Sequence, residues 1–316
     1  MSVQDDMLGA GDAREANYSA VDEVAPSRTR RTRWGRARLA LSKAPPTAWI
    51  GMALIALYAV AALFAPWIAP YGEARIFPAP YAPWTGEHWL GTDQIGRDVF
   101  SRLIYGARNT VGIALATTAL SFLIGGGLGL VAALQRGLVD QLLSRAVDVL
   151  MAIPALIFAL MLLSIFGSTI TSLIVIIAVL DATRVFRLAR SVAVSVAVQD
   201  YVEAARLRGE GPLWITTREI LPNIMPPLVA EFGLRFCFVF LTVAALSFLG
   251  LGIQPPTADW GSMVRENAGL IQFAAYDWRA AVTPLIPAAA IALLTVAVNF
   301  VVDWFLHLTS GIRDER

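Results

Sequence analysis

The 316-residue chain is 57% hydrophobic and only 16% charged, with a net charge of +1. Soluble domains run near a quarter charged, so this composition places the chain in the membrane class. Its single cysteine, Cys237, excludes an internal disulfide framework or a cysteine metal site, and its two histidines, His88 and His307, leave no histidine-rich metal site. No metal ligand set is predicted, and enzyme chemistry would have to come from carboxylates and hydroxyls.

Residues 1–46 read as a polar, then strongly basic tail containing "RTRRTRWGRAR". The apolar run that follows is too long for a signal-peptide core and lacks an obvious small-residue cleavage site. Arg28, Arg30, Arg31, Arg33, Arg36, Arg38 and Lys43 would hold this tail on the cytoplasmic side, in contact with anionic lipid. A helical crossing needs about 20 apolar residues. Thr47–Ala69, Thr110–Leu134, Ile224–Leu251 and Ala280–Val302 supply four such stretches. The uncharged run Val149–Leu180 is too long for one ordinary crossing, and Gly167-Ser168-Thr169 at its middle reads as a tight turn. Splitting it there predicts six transmembrane helices in an all-α membrane protein.

Charge tests that parity. With the basic tail inside, six crossings put the arginine-rich stretch 184–218 and both termini in the cytoplasm, whereas five would expose that stretch outside, against the positive-inside rule. The predicted organisation is a tail over 1–46, a first transmembrane helix with an extracytoplasmic loop over 47–109, a core of five further helices over 110–308, and a cytoplasmic tail over 309–316. Loops 71–108 and 254–278 then lie outside. Trp67, Trp84, Trp89, Trp260 and Trp278 suit an interfacial belt or an outer cap.

"GGGLG" at Gly125–Gly129 is not a phosphate-binding loop, because Lys43 is the only lysine and none follows the glycines. Small residues that bring transmembrane helices close together are the better account. Asp181 can pair with Arg184 or Arg187 near the interface, or contact a cationic solute. Glu231 and Arg235 stand four apart, on one helical face, as a structural pair or as residues lining a pathway.

Between the fourth and fifth predicted crossings the chain turns polar: "DYVEAARLRGEGPLWITTREILPN", Asp200–Asn223. Asp200–Leu207 is predicted to be a short helix with a small face at Ala204 and Ala205. Gly209 supplies a left-handed stop, and Pro212 starts a second helix that ends before Pro222. Trp214 and Ile215 are placed to anchor this knob in a partner's groove; the plain alternative is a connector lying on the lipid headgroups.

The run Glu203-Ala204-Ala205, then Gly209, then Ile220-Leu221-Pro222 resembles the EAA loop of ABC-importer permeases. "HWLGTDQIGRDVFSRLIYGAR" (His88–Arg108), "FRLAR" (Phe186–Arg190) and "LSFLGLGIQPPTADWGSMV" (Leu246–Val264) resemble segments of the dipeptide, oligopeptide and nickel branch, in its shorter, C-type subunit. Glu219, Asp181 and the final "VVDWFLHLTSGIRDER" depart from that pattern. The resemblance implies a type I importer transmembrane-domain fold in a bacterial inner membrane. It further implies a homologous permease subunit, two ATP-binding subunits and an extracytoplasmic solute-binding protein as partners. This chain would bind no cofactor; ATP and magnesium would sit on the partner subunits, and nucleic acid plays no part. Glu203, Ala204, Ala205, Gly209, Ile220, Leu221 and Pro222 would form the ATPase-coupling loop, with Glu203 offering a charged contact and Gly209 the turn. No catalytic residue is predicted. Peptide is the default cargo, with nickel chelates, glutathione-like peptides and sugar derivatives as alternatives. A stand-alone secondary transporter is the distant rival, and it lacks a recognisable inverted repeat.

Overall fold

The computed structural model describes Ser42, residues 44–135 and residues 137–310. The chain divides between Ala44 and Pro45, and the fold is that of the second part. The predicted tail sequences at 1–41 and 311–316, and Lys43, lie outside the described residues. Among those described, the regular elements are helical: α1 (Pro46–Leu63), α2 (Ala65–Ile68), α3 (Val99–Gln135), α4 (Leu138–Ala152), α5 (Ala155–Phe166) and α6 (Ile170–Ala197). Then follow α7 (Asp200–Leu207), α8 (Pro212–Ile215), a π turn (Thr216–Ile220), α9 (Leu221–Phe248), α10 (Trp260–Asn267), a 3-10 turn (Ala268–Phe273) and α11 (Trp278–Ser310).

Among the described residues, four helices are long and apolar enough to cross a membrane, namely Pro46–Leu63, Val99–Gln135, Pro212–Phe248 and Trp278–Leu308. A fifth crossing arises if α4 and α5, bent by 89° at their junction, count as one span. The predicted turn at Gly167 is present: Gly167 ends α5 with φ +85°, and the Thr169 hydroxyl caps α6 by accepting from the Ser172 amide at 3.1 Å. The elbow ahead of it was not foreseen. Pro154 has no amide to donate, so the helix breaks at Ile153-Pro154 and restarts in a new direction. α6 has the length to cross, but Asp181, Arg184, Arg187 and Arg190 crowd it from its middle onward.

Two predicted boundaries move. α3 begins at Val99 rather than Thr110, because the Asp98 carboxylate accepts from the Ser101 amide at 2.7 Å and caps the helix. The second helix of the charged loop does not stop before Pro222. The π turn lets the Leu221 amide reach back to the Thr216 carbonyl, and the helix runs on through Pro222 to Phe248. A widened turn redistributes the carbonyl partners, so the missing proline donor does not break the helix.

The tightest pairing is α3 against α6. A side chain at Gly125 would meet the Ala182 carbonyl oxygen at 2.3 Å, and one at Gly129 would meet that of Phe186 at 2.8 Å. These two glycines, four apart, let the backbones touch; Gly126 and Gly127 face open space and do not contribute.

The apolar interior falls into two main bodies. One, called outer because it lies away from the charged loop, joins Ile113 and Ala114 of α3, Ile176 and Ile177 of α6, Phe236 and Phe240 of α9, and Trp260. An inner one joins Ala133 of α3, Ala189, Ala193 and Ala197 of α6, and the charged loop. Trp260 therefore does not belong to an interfacial belt. It is buried edge-on against Tyr58 and Phe240, with its indole N–H donating to the Leu103 carbonyl at 2.9 Å. Trp67, Trp89 and Trp278 are exposed.

Candidate functional site

The loop between α6 and α9 is a self-contained knob. Asp200 and Glu203 occupy the first turn of α7, where carboxylates complement the helix dipole. The helix ends in a complete Schellman motif: Gly209 adopts φ +83°, its amide donates to the Arg206 carbonyl at 2.9 Å, and the Glu210 amide donates to the Ala205 carbonyl at 3.2 Å. Pro212 then opens α8 at the position where no amide is needed.

Val202, Ala205, Ile215 and Ile220 are buried against the alanine stripe of α6 and Ala133 of α3. The predicted coupling residues therefore divide in two. Glu203, Ala204, Gly209 and Pro222 are exposed, Leu221 is half-buried, and Ala205 and Ile220 seat the knob from within. Ile215 was predicted to anchor a partner; at 4% exposure it anchors the knob to its own chain instead. Leu207 and Leu213, 82% and 78% exposed, are the apolar groups that the knob presents, beside a partly exposed Trp214. Glu203 and Arg206 pair on the same surface at 3.3 Å, both largely exposed, so this pair contributes little to stability.

Deeper in the helices, Asp181, Glu231 and Arg235 come together, which separate sequence readings did not join. Arg235 Nε lies 2.8 Å from Glu231 Oε1, as the spacing predicts. Arg235 Nη1 also lies 3.6 Å from Asp181 Oδ1, on a different helix, while Arg184 Nη1 stands 3.9 Å from the same oxygen. The Ser121 hydroxyl of α3 donates to Asp181 Oδ2 at 3.2 Å. Arg187, an alternative partner for Asp181, pairs instead with Asp148 of α4, and Arg190 pairs with Asp140. A cavity between α5, α6 and α9 is lined by Ala159, Ile177, Asp181, Arg184, Phe238 and Thr242.

At the opposite end from the knob lies a charge network that sequence reasoning did not assemble: most of its members stand within the His88–Arg108 motif, and Glu266 lies outside every quoted motif. Arg97 Nε donates to Asp93 Oδ2 at 2.6 Å and its Nη2 to Glu266 Oε2 at 2.6 Å. Arg102, 1% exposed, adds longer contacts to both carboxylates. His88 Nδ1 stands 2.9 Å from Asp98 Oδ1. Buried charges persist only when paired, and here they tie the loop before α3 to α10. Asp259 caps α10 by accepting from the Ser262 amide at 3.1 Å. Burial pushes its carboxyl above the usual range, partly offset by hydrogen bonds from Ser262. Among the described residues, no group of three or more potential ligands stands close enough to hold a metal ion.

Residues 125–310 match the family described as the binding-protein-dependent transport system inner membrane component. The chain belongs to this family. Residues 32–83 of the permease match the N-terminal transmembrane domain of oligopeptide transport permease C. It is 35% identical over 271 residues to a di/tripeptide transport system permease of Pseudomonas aeruginosa, covering 84% of this chain and 85% of that protein. It is 32% identical over 267 residues to a glutathione transport system permease of Pectobacterium atrosepticum, covering 84% of each. A chain of the inward-facing methionine ABC transporter overlays with a TM-score of 0.49 at 18% identity, covering 64% of this chain and 95% of that one. Members of the family are multi-pass inner-membrane proteins that work with ATPase subunits and a solute-binding protein.

Proposed function

We propose that this permease carries short peptides, dipeptides foremost, through a pathway it forms with a second, homologous permease. Two ATP-binding subunits grip the loops of the pair from the cytoplasm, and an extracytoplasmic protein delivers the cargo. The cargo class is drawn from the relatives' names. The glutathione relative keeps a glutathione-like peptide as the second reading.

The observation that carries the mechanism is the knob's construction: fully hydrogen-bonded at its turn, seated from within by Val202, Ala205, Ile215 and Ile220, and presenting Glu203, Leu207 and Leu213. A transmitter must be stiff, and a helix end held by caps and a packed underside moves only with the helices that bear it. Glu203, Ala204, Gly209 and Pro222 meet the ATPase in this reading, while Ala205, Leu221 and Ile220 hold the loop's shape. α6 serves as the remaining crossing of six: its 28 residues span about 42 Å, and α3 covers its first charged residue. Both termini then lie in the cytoplasm, and neither cofactor nor catalytic residue resides in this chain.

The test is to express the permease with its neighbouring transport subunits, purify the complex in detergent, and reconstitute it in vesicles with the binding protein. ATP-dependent accumulation of a labelled dipeptide that the binding protein holds is the expected result. Uptake driven by an ion gradient without ATPase subunits would sink the proposal.

A further inference from the structure

The outer and inner apolar bodies do not merge; a polar layer separates them on three helices. On α3, Thr117, Thr118 and Ser121 are wholly buried between Ala114 of the outer body and Phe122 and Ala133, which pack with the inner one. On α6, Asp181 follows Leu180 at the edge of the outer body and precedes Ala189 of the inner. On α9, Glu231 and Arg235 lie between Leu228 of the inner body and Phe236 of the outer.

Such a layer costs stability, because buried charges return less than well-packed apolar groups in the same volume. Its contacts also differ in kind from the ties at the outer face. Arg97 makes aligned hydrogen bonds of 2.6 Å to two carboxylates. Arg235 lies near Glu231 and Asp181, yet its buried Nε and Nη1 make no aligned hydrogen bond. Each central group also has two partners: Asp181 has Arg235 and Arg184, and Arg235 has Asp181 and Glu231.

We propose that Asp181 and Arg235 are positioning residues of the transport cycle, forming a sliding joint in which each exchanges one ionic partner for the other. α6 and α9 are the two helices that flank the knob. From Asp181 to the end of α6 is about 24 Å of helix. Movement of the knob then shifts α6 against α9 at this layer, while the salt bridges at the far end hold that end fixed. Interdigitated apolar packing resists sliding, whereas non-directional charge contacts with a spare partner on each side stay neutralised throughout. Arg184 and Glu231 are the spare partners, and they are needed although neither makes the interhelical contact itself. This inference rests on the coupling-loop reading.

The discriminating variants are Arg184→Gln and Glu231→Gln, singly and together, which leave the Asp181–Arg235 contact in place. In vesicles holding the whole importer with its binding protein, the double variant is expected to assemble and hydrolyse ATP like the parent. It is expected to lose labelled-dipeptide uptake per ATP hydrolysed by about tenfold. A rigid brace or a purely structural cluster predicts an unchanged ratio of uptake to hydrolysis, and that result overturns the joint. If the double variant fails to assemble, the single variants decide by the same ratio. Glu203→Ala in the same preparation separates the two readings. Normal uptake there removes the coupling-loop reading, whereas lost uptake there with full uptake in the double variant removes only the joint.

Discussion

Gly209 shows how much one residue decides. Its φ of +83° is a region where a side chain costs about 1–2 kcal/mol, yet there is open space around it for one. Substituting Gly209→Glu is therefore expected to leave the helices inserted while distorting the turn, with uptake abolished in the vesicle assay. Glu203→Ala removes only an exposed carboxylate. It is expected to leave thermal stability within about 0.5 kcal/mol of the parent while uptake falls, a split that a structural role would not produce. At the outer face, Asp93→Asn removes one of the two carboxylates that neutralise buried Arg97 and Arg102 and is expected to cost roughly 1–3 kcal/mol, read as a lowered melting temperature in detergent. Asp259 adds a pH dependence. A carboxyl raised by burial stabilises fully below its unfolded range and loses that contribution as pH rises through its folded value. Asp259→Asn keeps an acceptor for the Ser262 amide and is expected to flatten that part of the stability profile. Local features such as these were legible where chain spacing suffices: the Gly209 stop, the start at Pro212, and the Glu231–Arg235 pair. The Asp181–Arg235 contact was not, because its partners lie on separate helices and no local rule counts across them.

Helix pairs are governed by which small residues face inward. The glycine run at 125–129 announced a close approach but not its register. Only Gly125 and Gly129 touch α6, since a helix returns the same face every three or four residues. Gly129→Leu is expected to prevent accumulation of folded permease, while Gly127→Leu is tolerated, compared by fluorescence-detected size exclusion. Element boundaries read less well for a reason common to all of them. The Asp98 cap, the Pro154 elbow and the π turn at 216–220 are each settled by single hydrogen-bonding groups, whereas hydropathy averages over a whole crossing. Hydropathy is least informative at α6, where Asp181, Arg187 and Arg190 lie within the helix and are paired by α9 and α4.

On the scale of the whole molecule, the two ends are built for opposite tasks: buried ionic ties at one, and at the other an exposed knob seated by packing. Topology follows as a prediction. A cysteine introduced at Glu210 is expected to be protected from an impermeant thiol reagent in intact cells, and one at Glu87 labelled, with little background from the buried Cys237. Labelling at Glu210 from outside would invert the arrangement. The outer ties have a further consequence for how the chain is made. Arg97 and Glu266 are 169 residues apart in sequence, so the first arginines emerge from the ribosome long before their acid is translated. Until that acid arrives, Arg97 and Arg102 share Asp93 alone, and a polypeptide truncated ahead of Glu266 never acquires the second carboxylate. The ties at this face are therefore complete only once Glu266 has been added to the chain.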